Sequence, residues 1–150
     1  MIRVLLADDN AYVRSALAEL FTAGTDLEVV ASCADGDEVV AAAQATRPDV
    51  VLLDVAMPRM DGLEAARRLL DVQPDARVVF LTANSSASSL RQARELGAVG
   101  YLVKDLDPDD LCEAVRFVAR GGTAWPEDVR RGPNGVTQTQ LADTIRSDAT

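Results

Sequence analysis

Three carboxylates, a hydroxyl and the chain's single lysine each stand directly after an apolar run. Asp54 follows Val50-Val51-Leu52-Leu53, and Asp8-Asp9 follow Ile2 to Ala7. Thr82 follows Arg77 to Leu81, and Lys104 follows Val99 to Val103. Short apolar runs bounded by turn residues, such as the one between Pro48 and Pro58, read as buried strands. Open parallel sheets bind ligands at the carboxyl ends of their strands, which is where these five residues fall. Two carboxylates ~4 Å apart at an effective dielectric of 20 repel by about 4 kcal/mol, so such a cluster calls for a cation. Carboxylate oxygens, a main-chain carbonyl and waters suit Mg²⁺. Met57-Pro58 would fix the turn that presents the Ala56 carbonyl. A carboxylate oxygen left free can accept a phosphoryl group. Mg²⁺, Lys104 and the Thr82 hydroxyl would then neutralise the phosphoryl oxygens.

The elements that must position these groups alternate five times between strand and helix. Strands are expected over Ile2–Ala7, Leu27–Ala31, Val50–Leu53, Arg77–Leu81 and Val99–Val103. Four are continuous apolar runs, as in parallel strands covered on both faces. Leu27–Ala31 carries Glu28 and suits an edge. Val13, Leu17, Leu20 and Phe21 form a helical face after Asp9-Asn10, which can cap it. Val39, Val40 and Ala43 follow Asp35-Gly36, and Leu63, Ala66, Leu69 and Leu70 follow Asp61-Gly62. Leu90, Ala93 and Leu96 precede Gly97, a helix stop. Asp107-Pro108-Asp109-Asp110 opens the last helix with a cap, a first-turn proline and acids that complement the dipole. Its core face is Leu111, Ala114, Val115 and Val118. This alternation predicts an α/β fold, a doubly wound (βα)5 five-stranded parallel sheet with right-handed crossovers.

Bulk properties prune the chemistry. The length suits one domain with a two-sided core. The net charge is −9, with twelve basic and twenty acidic side chains in residues 1–120. That argues against direct nucleic-acid binding by residues 1–150. The chain has no histidine, which excludes Ser-His-Asp and Cys-His catalysis, histidine-bearing zinc sites and phosphohistidine. Against fourteen arginines there is only Lys104, so this position calls for an ammonium. Cys33 and Cys112 form no CxxC pair and read as apolar fillers in a reducing cytosol. No stretch has the length and apolarity of a membrane span, and the N-terminus lacks a signal-peptide layout. A cytoplasmic location is expected.

Four motifs stand together in residues 1–120: Asp8-Asp9, Asp54 with Met57-Pro58-x-Met60-Asp61-Gly62, Thr82-Ala83, and Gly100-Tyr101-Leu102-Val103-Lys104. In these motifs the segment resembles the response-regulator receiver domains of two-component signalling. The resemblance implies a flavodoxin-like strand order 2-1-3-4-5. It implies that Asp54 is the phosphoacceptor and that Mg²⁺ is bound by Asp9, Asp54 and the Ala56 carbonyl, with Asp8 supporting through water. Thr82 resembles the switch hydroxyl, Lys104 the lysine that pairs with the phosphoryl oxygens, and Tyr101 the aromatic that moves inward with the threonine. Ala56 and Asn84 hold the positions that tune dephosphorylation in the family. The implied partner is a sensor histidine kinase or phosphotransfer protein. Phosphorylation would control homodimerisation or another protein contact, with a coupling of ~1–3 kcal/mol. The protein would be a signalling switch that catalyses only its own phosphorylation and dephosphorylation.

Residues 121–150 read as a linker and short tail without a complete output domain. Gly121 to Glu127 resembles the segment after LuxR/NarL-type receivers, which continue into a helix-turn-helix domain. Thr137-Gln138-Thr139-Gln140 fits a capping box before one short helix. A single-domain regulator is expected, with a receiver cut from a longer DNA-binding regulator as the alternative. A small Mg²⁺-dependent aspartyl phosphatase would want an acid two residues after its nucleophile, where Ala56 stands. A phosphorylation-independent binding module would show a degraded pocket, and this one is complete. A flavin-binding protein would want a phosphate loop where Asp8-Asp9 stand.

Overall fold

A computed structural model describes residues 1–128. Five parallel strands alternate with five α-helices, and the sheet order is β2-β1-β3-β4-β5. The strands are β1 (Ile2–Ala7), β2 (Leu27–Cys33), β3 (Val50–Leu53), β4 (Val78–Thr82) and β5 (Gly100–Val103). The helices are α1 (Ala11–Ala23), α2 (Val39–Thr46), α3 (Gly62–Val72), α4 (Ala87–Leu96) and α5 (Pro108–Ala119). The doubly wound sheet with order 2-1-3-4-5 is therefore as the sequence indicates.

The apolar runs bury both faces of each central strand. Leu5, Val51, Leu53, Phe80 and Tyr101 point toward α2, α3 and α4, packing with Val39, Ala66, Leu69 and Ala93. Val4, Leu6, Leu52, Val79, Leu81 and Leu102 point the other way, onto Phe21 of α1 and Leu111, Val115 and Val118 of α5. The alternation follows the two-residue period of a strand. Each fully buried leucine or valine contributes about 1.5–3 kcal/mol.

The caps follow the expected chemistry. Asn10 accepts from the Tyr12 and Val13 N–H groups, and Asp61 from that of Glu64. Asp107 accepts from Asp109 N, with Pro108 in the first turn. Gly97 ends α4 at φ 101°, a left-handed conformation that glycine adopts without steric cost.

Four strand limits differ from expectation: β4 and β5 each start one residue later, at Val78 and Gly100, and β2 and β4 each end further on. β2 runs on to Cys33, because an irregularity between Val4 and Leu5 lets Ala31 to Cys33 pair with Leu5 to Ala7. β4 includes Thr82, which pairs with Val103 rather than standing after the strand.

Beyond α5 the chain doubles back along the outer edge of β5. Ala124 forms a parallel bridge with Gly100, donating from N to Val99 O at 2.9 Å and accepting from Tyr101 N at 2.9 Å. Trp125 lies under the Arg94 guanidinium, 4.3 Å from it, and Arg94 pairs with Glu127 at 2.7 Å. These contacts cover an edge that would otherwise be open to another strand. The short helix expected after Thr137 lies outside the described residues.

Cys33 and Cys112 are free, buried, and on opposite faces of the sheet. Burial, with help from the Glu38 charge, pushes the Cys33 thiol up to about 11. The thiolate is the reactive form, so Cys33 in the folded protein should resist a thiol reagent at pH 8. It should react at the ordinary rate once denaturant is added, and a fast native reaction would contradict this packing. Among the described residues, no helix is long and apolar enough to cross a membrane.

Candidate functional site

The sheet topology assembles the site. The chain reverses its direction of strand addition at β1, so the ends of β1 and β3 are neighbours. Ala7 pairs with Leu53, and the next residue on each strand is an aspartate. Asp54 N donates to Ala7 O at 2.9 Å, fixing that adjacency. Across β4 and β5, Lys104 N donates to Thr82 O at 2.8 Å. The strand-end residues from four strands thus converge on one rim.

Asp8, Asp9 and Asp54 each offer a carboxylate oxygen, and these lie within 4.8 Å of one another. Asp8 and Asp54 are buried, while Asp9 faces solvent. Lys104 bridges the buried pair, its Nζ donating to Asp8 Oδ2 at 2.5 Å and to Asp54 Oδ2 at 3.0 Å. Asp54 Oδ1 accepts from Ala56 N at 3.4 Å. Asp9 and Ala56 line the same open pocket with Met57, Pro58 and Asp61. An all-oxygen set of three acids is chemistry for a hard divalent cation, so these residues fit Mg²⁺.

The electrostatics are uneven. Burial raises the Asp54 carboxyl above the usual range, and the Asp8 charge adds to it; the Lys104 bond and the Ala56 N–H offset only part. Burial also works against the charge on Lys104, but its bonds to Asp8 and Asp54 prevail and hold its pKa above the ordinary lysine value. Among the described residues, one ammonium therefore serves both buried carboxylates.

Asp54 is also confined by its own backbone. A Cβ on Gly62 would lie 2.0 Å from Asp54 O, and Gly62 N donates to Val55 O at 2.7 Å. Only glycine lets the loop from Val55 to Asp61 close back on the strand end.

Thr82 and Tyr101 are both buried. The Thr82 hydroxyl is engaged with its own turn, accepting from Asn84 N at 3.2 Å and donating to Asn84 O at 3.3 Å. Tyr101 is turned inward. Its hydroxyl accepts from Ser86 N at 3.2 Å and shares a 2.5 Å hydrogen bond with Ser89 Oγ. Ser86 also caps α4 through Ser89 N, so Tyr101 is tied to the start of that helix. Neither serine was expected, since nothing in the Ser85 to Ser89 run marks which hydroxyls meet a tyrosine on β5. Asp35, fully buried behind the loop after β3, was read only as a residue preceding α2.

Comparisons with known proteins agree with this geometry. The family model of the response regulator receiver domain matches residues 4–116. The transcriptional regulatory protein YxjL of Bacillus subtilis, itself uncharacterized, is 42% identical over 120 residues, covering 80% of this chain and 55% of that protein. The chain spans about half the length of the curated relatives it matches. The receiver domain of a putative response regulator NarL from Mycobacterium tuberculosis superposes with a TM-score of 0.76 at 31% identity, covering 80% of this chain and 97% of that one. The CheX–CheY–BeF3–Mg²⁺ complex from Borrelia burgdorferi gives a TM-score of 0.73 at 28% identity, covering 78% of this chain and 88% of that one. Fold, acid cluster and relatives converge, and the chain belongs to the response regulator receiver domains of two-component signalling.

Proposed function

We propose that Asp54 accepts a phosphoryl group in a Mg²⁺-dependent transfer and that the resulting charge switches a protein contact. The observation that carries this is the convergence of three carboxylate oxygens within 4.8 Å with Lys104 bridging Asp8 and Asp54. Asp9, Asp54 and the Ala56 carbonyl would hold the metal, with Asp8 supporting it through water. The metal would supply positive charge to the phosphoryl oxygens. An Asp54 oxygen attacks phosphorus, a bond to the donor's nitrogen or oxygen breaks, and the leaving group takes up a proton. The donor would be a sensor histidine kinase, a phosphotransfer protein or a small acyl phosphate. The chain would thus catalyse its own phosphorylation and dephosphorylation, in the cytoplasm.

The new group brings roughly −1.5 to −2 charge and strong acceptor oxygens. Lys104 would turn from its two carboxylates toward them. Thr82 would give up Asn84 and donate to the phosphoryl group. That movement would reach α4 through Tyr101, Ser86 and Ser89 and alter homodimerisation or another partner contact on that face.

A phosphate mimic tests this directly. Beryllium fluoride with Mg²⁺ should shift the amide signals of Asn84, Ser86 and Lys104, and should do nothing to Asp54→Asn. An unchanged spectrum of the parent protein would contradict the reading.

A further inference from the structure

The loop from Val55 to Asp61 carries the Ala56 carbonyl, and its Arg59–Met60 stretch is held from outside the rim. Asp35 holds it. Asp35 is only 1% exposed, and its two carboxylate oxygens are both engaged by that loop. Oδ1 accepts from Met60 N at 2.8 Å and Oδ2 from Arg59 N at 3.0 Å. Burial alone would push this carboxyl up; the N–H groups of Arg59, Met60 and Gly36 outweigh it and keep it low. The next residue interlocks with the same loop, since a Cβ on Gly36 would stand 2.2 Å from Met60 O. Outside, Arg59 reaches back to Asp37 at 2.8 Å.

The same segment also grips the other half of the site. Two residues before Asp35, Cys33 O accepts from Asp8 N at 3.1 Å. The end of β2 therefore touches the first acid loop through Cys33 and the Ala56 loop through Asp35. A metal held by groups from both loops needs their spacing fixed before it binds.

We infer that Asp35 is a positioning residue for the metal site, clamping the loop that presents Ala56 against the strand end that carries Asp8. It touches neither metal nor phosphoryl group. Its two charge-assisted bonds set where the Arg59–Met60 peptides lie, and Gly62, just beyond them, closes the loop onto Asp54 and Val55. This inference rests on the reading of Asp8, Asp9, Asp54 and Ala56 as a Mg²⁺ site.

Removing groups that orient metal ligands typically weakens metal affinity by about 10–100-fold. Mg²⁺ alone, titrated into the 150-residue protein while following the Ala56 and Met57 amides, gives the dissociation constant. Asp35→Ala should weaken it about tenfold. Asp35→Asn keeps one acceptor and should lie between, and it serves if the alanine variant does not fold. Half-saturating Mg²⁺ for labelling by acetyl phosphate should rise in parallel, while the rate at saturating Mg²⁺ stays near the parent's. Val118→Ala, in the core on the other face, lowers stability without touching the loop and should leave the constant unchanged. Asp35 variants that lose thermal stability but bind Mg²⁺ like the parent would overturn the clamp alone. A parent that binds no Mg²⁺ would overturn the underlying site as well.

Discussion

Asp54→Asn is expected to lose phosphoryl acceptance and yet to melt at the same temperature as the parent or higher. The reason lies in the direction of the Asp54 shift. Burial and the Asp8 charge raise its carboxyl above the unfolded value, despite Lys104. A carboxylate whose folded pKa is raised costs stability when ionised. The cost is present at neutral pH and disappears as pH falls through the raised value. An uncharged amide removes the cost while keeping the side chain's shape. The gain should therefore be largest near pH 7 without Mg²⁺ and shrink toward acid pH. Thermal melts at both pH values check it. A loss of several degrees at pH 7 would mean that the Lys104 bond outweighs desolvation.

Lys104→Met is expected to behave in the opposite way. It leaves Asp8 and Asp54, 3% and 8% exposed, without the cation that bridges them. Removing one partner of a buried pair strands a charge and is costly. Lys104 is a fifth exposed and the acids can take up a proton, so a loss of about 2 kcal/mol without Mg²⁺ is expected, below the range for a fully buried pair. The lysine's own linkage has the matching sign. Its raised pKa gives stability that is complete below the ordinary lysine value and fades as pH climbs through the folded one. Mg²⁺ should reverse the defect, because the ion no longer competes with an ammonium for Asp54 or for the nearby charge of Asp8. The variant should bind Mg²⁺ about tenfold more tightly, a difference of roughly 1.4 kcal/mol, well within one charge's effect at this range. Equal Mg²⁺ affinity in both proteins would place Lys104 outside the metal's field. Phosphoryl labelling should nonetheless slow, since the ammonium proposed to meet the phosphoryl oxygens is gone.

These two residues were legible in the sequence because continuous apolar runs end on them. An acid directly after Val50 to Leu53, and the lone lysine directly after Val103, are local signals. So were the caps at Asn10 and Asp107, whose partners lie within three residues. What the sequence did not carry was pairing across the sheet. Thr82 joined β4 because Val103 stands opposite it, and β2 lengthened because of an irregularity on β1. Asp35 was illegible for the same reason. Its partners, Arg59 and Met60, lie 24 and 25 residues away, and a buried acid before Gly36 looks like any loop acid. The strap from Ala124 to Glu127 reads as linker from its proline and the Gly121-Gly122 pair before it, yet the open edge of β5 gives it partners. Tyr101 points inward onto Ser86 and Ser89 while the Thr82 hydroxyl bonds its own turn, an arrangement that no periodicity encodes.

The most direct measurement is the intact mass of the protein after incubation with acetyl phosphate and Mg²⁺. The parent should gain one phosphoryl group, and none when Mg²⁺ is chelated before the donor is added, and Asp54→Asn should gain none. A phosphoryl group retained on Asp54→Asn, or none on the parent with Mg²⁺ present, would contradict the assignment of Asp54 as the acceptor.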